Sequence, residues 1–282
     1  MSNVSTKWSL RDAMRLSHPK GVDRAVGNFI LRGEVTEDAP AVLHGFKQVQ
    51  GATSAGEVVK VLRTHKNLPW ETIPTQFLKD AEVWKALFNN GALNGQALLR
   101  NVTRMARIGA FDDMVFAADY AKRLSDPQMI KRTRLHPMAY MTALVVYTEG
   151  QIDRSRSGFM HTVRNKTWEV NSKVKAGLEA GMYEAFKHTE PANKRTLVGI
   201  DVSGSMSSPS SGLELTCAQV AGALAMTILR TEPYSIVNGF ASEFRSLGIT
   251  EDMSLTEVFR RQRANTFGRT DCAVPMLWAA EK

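Results

Sequence analysis

Hydrophobic residues recur with helical spacing from residue 8 to about residue 189, and short polar, glycine or proline breaks interrupt them. The helical segments are roughly 10 to 15 residues long, a length typical of stacked antiparallel helix pairs. The breaks are HPKG after RDAMRL, Gly33 after VDRAVGNFILR, and the turn-rich NLPWETIP before FLKDAEVWKALF. Between them we expect helices over residues 37–49 and 55–62. The pattern therefore predicts a mainly α, helical-repeat solenoid over residues 1–190.

The pattern changes after Pro191, where short apolar runs alternate with amphipathic segments. KRTLVGIDVSGSM predicts a buried strand and a loop, GLELTCAQVAGALAMTILR a helix, YSIVNGF a second strand and SLTEVFRRQ a further helix. Strands that alternate with helices indicate a parallel sheet with helices on both faces. Residues 191–282 are therefore expected to form a second domain of α/β, Rossmann-type architecture, with ligands beyond the carboxyl ends of its strands.

The first predicted strand runs into GIDVSGSM, which has oxygen-bearing side chains at every second position, Asp201, Ser203 and Ser205. A carboxylate and hydroxyls without histidine or thiolate suit Mg²⁺ rather than zinc. The alternative is an ordinary turn in which Asp and Ser cap the next helix. A second polar loop, TFGRTDC, supplies Thr270 and Asp271. The sequence thus predicts a hard-oxygen site at the end of the strand.

The formal net charge of +8 comes mainly from the middle of the chain, where residues 100–175 carry 14 Lys and Arg against 7 Asp and Glu. In LNGQALLRNVTRMARIG, the helical period places Leu98, Val102 and Met105 on one face. The nearly opposite face carries three arginines, Arg100, Arg104 and Arg107. This stripe either follows a phosphate backbone or only keeps a surface helix solvated.

Two further basic groups follow the stripe. Lys131, Arg132 and Arg134 come directly before His136 and the apolar helix predicted from MAYMTALVVY. Like the three arginines of the stripe, these four residues are candidate RNA contacts. Downstream, a predicted loop carries Arg154, Arg156, Arg164, Lys166, Lys173 and Lys175, with Phe159 and Trp168 between them. Arginines mixed with aromatic side chains could hold single-stranded bases by stacking as well as by charge.

The polar loops resemble the metal-ion-dependent adhesion site of von Willebrand factor A domains. In that family, an Asp and two Ser of the first loop and a Thr of the second surround the ion. The resemblance makes Asp201, Ser203, Ser205 and Thr270 the metal positions here. It also implies that a bound ion leaves a coordination position open for a partner's carboxylate rather than activating water.

Stretches along the whole chain resemble the Ro autoantigen family, the TROVE-domain ribonucleoproteins. They are WSLRDAMRLSHPKG, AEVWKALF, ALLRNVTRMA, RTRLHPMAY, GMYEAFKHTEPANKRTLVGIDVSGSM and RTDCAVPMLWA. The resemblance implies a HEAT-like ring of helical repeats closed by an A domain. It implies that Y-like RNAs bind the outer surface and that single-stranded 3′ ends of misfolded noncoding RNAs enter the hole, in RNA quality control. It adds His18, of the R-L-S-H motif, as an RNA contact; the alternative is a packed histidine at a helix end.

Relatives in this family have a long helical segment before the stretch that matches Trp8, and further strands with a third, Asp-bearing loop after the second metal loop. We therefore expect a chain truncated at both ends, with half of the ring absent and an incomplete von Willebrand A-like domain. A fragment, a decayed gene and one piece of a split protein all fit this expectation.

Composition narrows the function. Cys217 and Cys272 stand far apart without a CxxC or Cys/His cluster, so neither disulfides nor zinc are indicated. No apolar run has membrane-spanning length and the amino terminus lacks a signal pattern, so a cytoplasmic location away from membranes is expected. No catalytic constellation stands out, which favours a non-enzymatic RNA-binding protein. The alternative is a metal-dependent protein-interaction module on a helical scaffold, with a protein partner and no role for RNA.

Overall fold

The structure is a computed structural model that describes residues 8–149, 167–210, 215–265 and 269–282. These residues fall into two compact units, one that runs to Leu93 and one that begins at Asn94. Among the described residues, no helix is long and apolar enough to cross a membrane.

The first unit consists of helices joined by short turns. They are α1 (Leu10–Ser17), α2 (Arg24–Arg32), α3 (Ala41–Gln50), α4 (Ala55–Thr64) and α5 (Ala81–Asn89), with 3₁₀ turns at Trp70–Thr72 and Phe77–Lys79. Helix α2 ends at Gly33, as predicted, because this residue adopts the left-handed conformation with φ of 75°. The core lies between α4 and α5, where Val58, Leu62, Val83 and Leu87 are completely buried.

Two boundaries in this unit differ from the prediction. Helix α3 begins at Ala41 instead of residue 37, because Pro40 disfavours helical backbone in the residue before it. FLKDAEVWKALF is not one helix. Asp80 divides it into a 3₁₀ turn and α5, and its side chain accepts the Glu82 N–H at 2.8 Å.

The second unit begins with further helices. They are α6 (Gln96–Arg107), α7 (Met114–Leu124), α8 (Pro127–Thr133), α9 (Pro137–Glu149) and α10 (Ser172–Phe186). Helix α10 packs against α7, α8 and α9, and glycines allow the close approach. A Cβ atom at Gly177 would lie 2.7 Å from the Ala121 Cα. Two buried tyrosines fix the helices through their hydroxyls: Tyr120 donates to the Leu98 carbonyl at 2.6 Å, and Tyr140 to the Leu124 carbonyl at 2.7 Å.

A small sheet with helices completes the second unit. Its described strands are β1 (Thr196–Asp201), β2 (Ser235–Phe240) and β3 (Phe244–Ser246), in the order β1-β2-β3. The remaining helices are α11 (Cys217–Thr231), α12 (Leu255–Ala264) and α13 (Val274–Ala280). β1 and β2 are parallel, as predicted, while β3 pairs antiparallel with β2 and was not predicted. The predicted mainly α architecture followed by an α/β part is confirmed. The predicted domain limit between residues 190 and 191 stays a prediction.

Candidate functional site

The carboxyl end of β1 places three oxygen-bearing side chains in one loop. Asp201 is the last residue of the strand, and its partner across the parallel pair is Phe240. The carboxylate of Asp201 accepts the Ser203 N–H at 2.8 Å. The hydroxyls of Ser203 and Ser205 lie 3.0 Å apart. Ser203 is 8% exposed, whereas Ser205 is exposed. The loop therefore gathers Asp201, Ser203 and Ser205 as the sequence pattern predicted.

The spacing of these oxygens fits Mg²⁺. In octahedral coordination at 2.0 to 2.1 Å, neighbouring ligand oxygens lie about 2.9 Å apart. The two serine hydroxyls meet that spacing while they are hydrogen-bonded to each other. Oδ1 of Asp201 accepts the Ser203 N–H, so a cation at this loop would use the second carboxylate oxygen. Within the described part of the chain, no group of three or more His, Cys, Asp and Glu could hold a metal ion.

The second polar loop reaches the same edge of the sheet. The Asp271 N–H donates to the Ala241 carbonyl at 2.7 Å, and Ala241 directly follows β2. The Asp271 side chain accepts the Ala273 N–H at 2.9 Å, which holds the turn before α13. Thr270 is exposed beside this anchor. Because β1 and β2 are parallel and end together, the loop with Thr270 and the loop with Asp201 share one sheet edge.

Helix α6 presents the predicted arginine stripe. Leu98, Val102 and Met105 are at most 1% exposed, and the three arginines, Arg100, Arg104 and Arg107, are exposed. The Arg107 guanidinium lies over the Trp168 ring, 5.1 Å from its centroid. Arg107 therefore contributes to the packing of its own unit and also to the positive charge of the surface.

The proposed use of Trp168 as a stacking platform for bases is wrong. Trp168 is 8% exposed, and its indole N–H donates to the Tyr147 carbonyl at 3.0 Å. The ring is thus part of the core under Arg107. Lys173 and Lys175, in the first turn of α10, are exposed. The other members of this predicted loop, Arg154, Arg156, Phe159, Arg164 and Lys166, lie outside the described residues.

The second basic cluster occupies the last turn of α8 and the turn that leads into α9. Lys131, Arg132, Arg134 and His136 are all exposed. Arg134 ends α8 in the left-handed conformation with φ of 50°. The Met138 N–H donates to Nδ1 of His136 at 3.2 Å, so the imidazole caps the first turn of α9 and the ring proton lies on Nε2.

The start of α6, which carries the arginine stripe, lies beside the end of α8. A Cβ atom at Gly95, which precedes α6, would lie 3.0 Å from the Thr133 side chain at the end of α8. A groove of about 410 Å³ between α6 and α9 is lined by both Arg100 and Met138. We define the basic surface as Arg100, Arg104, Arg107, Lys131, Arg132, Arg134 and His136. Sequence patterns had not connected its two halves, because this proximity depends on tertiary packing.

His18 belongs to the first unit. It ends α1 in the left-handed conformation with φ of 42°, and its side chain is exposed. The alternative, a packed histidine at a helix end, is therefore wrong about the packing, although His18 does lie at the end of α1.

Comparisons with known proteins cover nearly the whole chain. Residues 40–154 match the TROVE domain, and residues 195–282 match the Ro60 vWA domain. RNA-binding protein RO60 of Deinococcus radiodurans is 35% identical over 98% of this chain and 51% of its own length. RNA-binding protein RO60 of Caenorhabditis elegans is 32% identical over 85% of this chain and 36% of its own length.

The fold agrees with these matches. The crystal structure of the Deinococcus radiodurans RO (RSR) protein superposes with a TM-score of 0.76 and 36% identity, over 97% of this chain and 55% of that chain. This chain thus spans 51% and 36% of the lengths of these two curated relatives. Two domain matches in succession, and likeness in sequence and fold across almost the whole chain, show that the chain belongs to the Ro family of TROVE-domain proteins.

Proposed function

We propose that this protein binds structured noncoding RNA through the basic surface. The observation that carries the proposal is that α6 and the end of α8 both carry exposed cations and that these two helices meet where Gly95 contacts Thr133. A helix stripe and an adjoining basic turn can contact successive phosphates without reading base edges. The names of the two relatives, RNA-binding protein RO60, support the proposal that this chain binds RNA.

The mode of binding follows from the side chains that are available. Trp168 is buried under Arg107, so it offers no face for a base. Recognition on this surface therefore depends on charge and RNA shape, and we expect a strong dependence on salt. We propose Y-like RNAs and RNAs with single-stranded 3′ ends as the partners, and a binding function without catalysis.

The choice of RNA is tested by direct comparison. A labelled hairpin with a single-stranded 3′ tail should bind more tightly than the blunt hairpin of the same stem, since the tail adds phosphates within reach of the basic surface. Fluorescence anisotropy with the full chain measures both affinities. Equal affinity for the two RNAs would contradict recognition of RNA ends, and failure to bind either RNA would contradict the proposed function itself.

We further propose that the loop of Asp201, Ser203 and Ser205, with Thr270, holds Mg²⁺. The support is the 3.0 Å spacing of the two hydroxyls and the anchoring of the second loop beside β2. When bound, the ion would supply a positive charge with an open coordination position, suited to a carboxylate from a protein partner. The protein's own residues orient the donors, because the Ser203 N–H fixes the Asp201 carboxylate.

Replacing Asp201 is expected to weaken metal binding at least tenfold. Asp201→Ala removes the only carboxylate among the proposed ligands, leaving hydroxyls that bind divalent cations weakly. Titration with Mn²⁺, followed by electron paramagnetic resonance, reads binding without any RNA or protein partner.

The matched control for this titration is Ser207→Ala in the same loop. The Ser207 hydroxyl donates to the Gly204 carbonyl at 2.8 Å and is not among the proposed ligands. Mn²⁺ affinity should therefore stay at the wild-type value in Ser207→Ala. Equal affinity in the wild type and in Asp201→Ala would exclude this loop as the metal site.

A further inference from the structure

A cavity of about 720 Å³ opens where the end of α8, the start of α9 and the end of α10 meet. Its described lining contains five basic or imidazole side chains, Lys131, Arg134, His136, Lys187 and His188. Lys187 and His188 lie about fifty residues beyond the α8–α9 turn in sequence, and only the packing of α10 brings them to it. The cavity has the volume of a small-ligand site, which is commonly 300 to 1,000 Å³.

The charges around this cavity favour an anion. The described residues that line it include three cationic side chains, those of Lys131, Arg134 and Lys187, and one acidic residue, Glu190. Lys187 is bonded to Glu184 at 2.6 Å, and Nε2 of His188 lies 3.7 Å from the same carboxylate. Glu184 therefore offsets part of the charge of Lys187 and His188, while Lys131 and Arg134 add two further cations to the lining.

The first turn of α9 orients the His136 side chain, but its backbone N–H groups are not available to an anion. Pro137 has no N–H, and the Met138 N–H is bonded to the His136 ring. The Ala139 N–H donates to the His136 carbonyl at 2.9 Å. Because these backbone donors are occupied or absent, an anion in the cavity must be held by side chains. The Nδ1 bond leaves His136 with its ring proton on Nε2, which makes the imidazole a donor.

Arg134, which lines the cavity, has an uncommon backbone conformation. A φ of 50° is rare for an arginine, and it places this side chain at the exact end of α8. Glycine adopts positive φ about as readily as negative φ. Arg134→Gly therefore removes the guanidinium without a backbone penalty, and it is the cleanest probe of the cavity.

We propose that this cavity binds a phosphate monoester, either as a free mononucleotide or as the terminal phosphate of an RNA chain. A monoester carries about −1.5 to −2 charges near pH 7, whereas a backbone diester carries one. A concave site lined by several cations suits the dianion, while the open arginine stripe of α6 suits the diester backbone. The RNA source rests on the proposed function, but the cavity itself is testable without RNA.

The first test uses small probes on the full chain. Isothermal titration calorimetry compares 5′-AMP, inorganic phosphate and adenosine. We expect 5′-AMP and phosphate to bind, adenosine not to bind, and Lys131→Ala combined with Arg134→Gly to weaken 5′-AMP binding at least tenfold. The control is Lys122→Ala, an exposed lysine of α7 that does not line the cavity, and it should bind 5′-AMP like the wild type.

The second test separates the two sources of the phosphate. One hairpin RNA is prepared with a terminal phosphate at either end, or with hydroxyls at both ends. Tighter binding of a phosphorylated RNA, lost in the Lys131→Ala, Arg134→Gly variant, supports an RNA end as the ligand. Equal binding of all these RNAs, together with 5′-AMP binding that the variant loses, supports a free nucleotide.

Other outcomes overturn one proposal and leave the other. Absence of binding of 5′-AMP, phosphate and phosphorylated ends, with hairpin binding intact, overturns the cavity proposal and leaves the basic surface as the RNA site. Equal binding of adenosine and 5′-AMP overturns the phosphate assignment. Binding of 5′-AMP by a chain that binds no RNA supports the cavity and contradicts the proposed function.

Discussion

Replacing Arg100 and Arg104 with glutamate is expected to lower the affinity for a hairpin RNA at least about a hundredfold near 0.1 M salt. Both guanidinium groups lie on the exposed face of α6, opposite the buried Leu98 and Met105. A charge-assisted contact contributes about 1.5 kcal/mol, close to tenfold in affinity, and each reversal also adds a repulsive charge. Anisotropy with a labelled hairpin measures the loss.

Arg107 is left unchanged in this test for a structural reason. Its guanidinium covers the buried Trp168 ring, so Arg107→Glu would disturb packing and blur the result. The control for net charge is Lys122→Glu with Lys194→Glu, two exposed lysines outside the basic surface. This control changes the net charge equally and should retain affinity within a few fold. Equal losses in both variants would mean that only the overall charge matters and that the site assignment is wrong.

Replacing Gly181 with alanine is expected to destabilise the second unit by about 2 to 4 kcal/mol. A Cβ atom there would overlap the Leu124 carbonyl oxygen and would lie 2.5 Å from the Tyr140 ring. Neither neighbour can move easily, because the Tyr140 hydroxyl is bonded to that same carbonyl at 2.7 Å. Helix α10 must therefore shift away from α7 and α9, and the melting temperature should fall by about 5 to 10 °C.

The same chemical change has the opposite expected effect in α4. At Gly56 an added Cβ has only the Ser54 hydroxyl within 4.0 Å, so Gly56→Ala should stabilise by about 0.5 to 1 kcal/mol through helix propensity. Hydrogen exchange with mass spectrometry follows α10 and α4 separately in each variant. Unchanged protection of α10 in Gly181→Ala would show that the contact between α10 and α7 is looser than the structure indicates.

Local chemistry made several features predictable from the sequence. Gly33 ends α2 because its φ is positive, and the 3.6-residue period separates Leu98 and Val102 from Arg100. The loop of Asp201, Ser203 and Ser205 was predictable for a similar reason. An apolar strand followed by alternating oxygen-bearing residues places Asp201 at the end of β1 and Ser203 two residues later, within hydrogen-bonding distance. Each of these features depends on residues within a few positions of one another.

Features set by long-range packing were not predictable in this way. Tryptophan is a residue type that often stacks on bases. Trp168 is buried instead, because its indole N–H is bonded to the Tyr147 carbonyl and Arg107 lies over its ring. Lys187 and His188 join the α8–α9 turn only because α10 folds back onto α8. Strand β3 has only three residues, too few for a periodic pattern to stand out.

The central claim is that the basic surface neutralises RNA phosphates, and the salt dependence of binding tests it most directly. Each phosphate contact contributes close to one unit to the slope of log affinity against log salt concentration. The wild type should show a steep negative slope, and the variant with Arg100→Glu and Arg104→Glu a slope shallower by about two. Identical slopes in the two proteins would show that RNA does not contact α6 and would contradict this account.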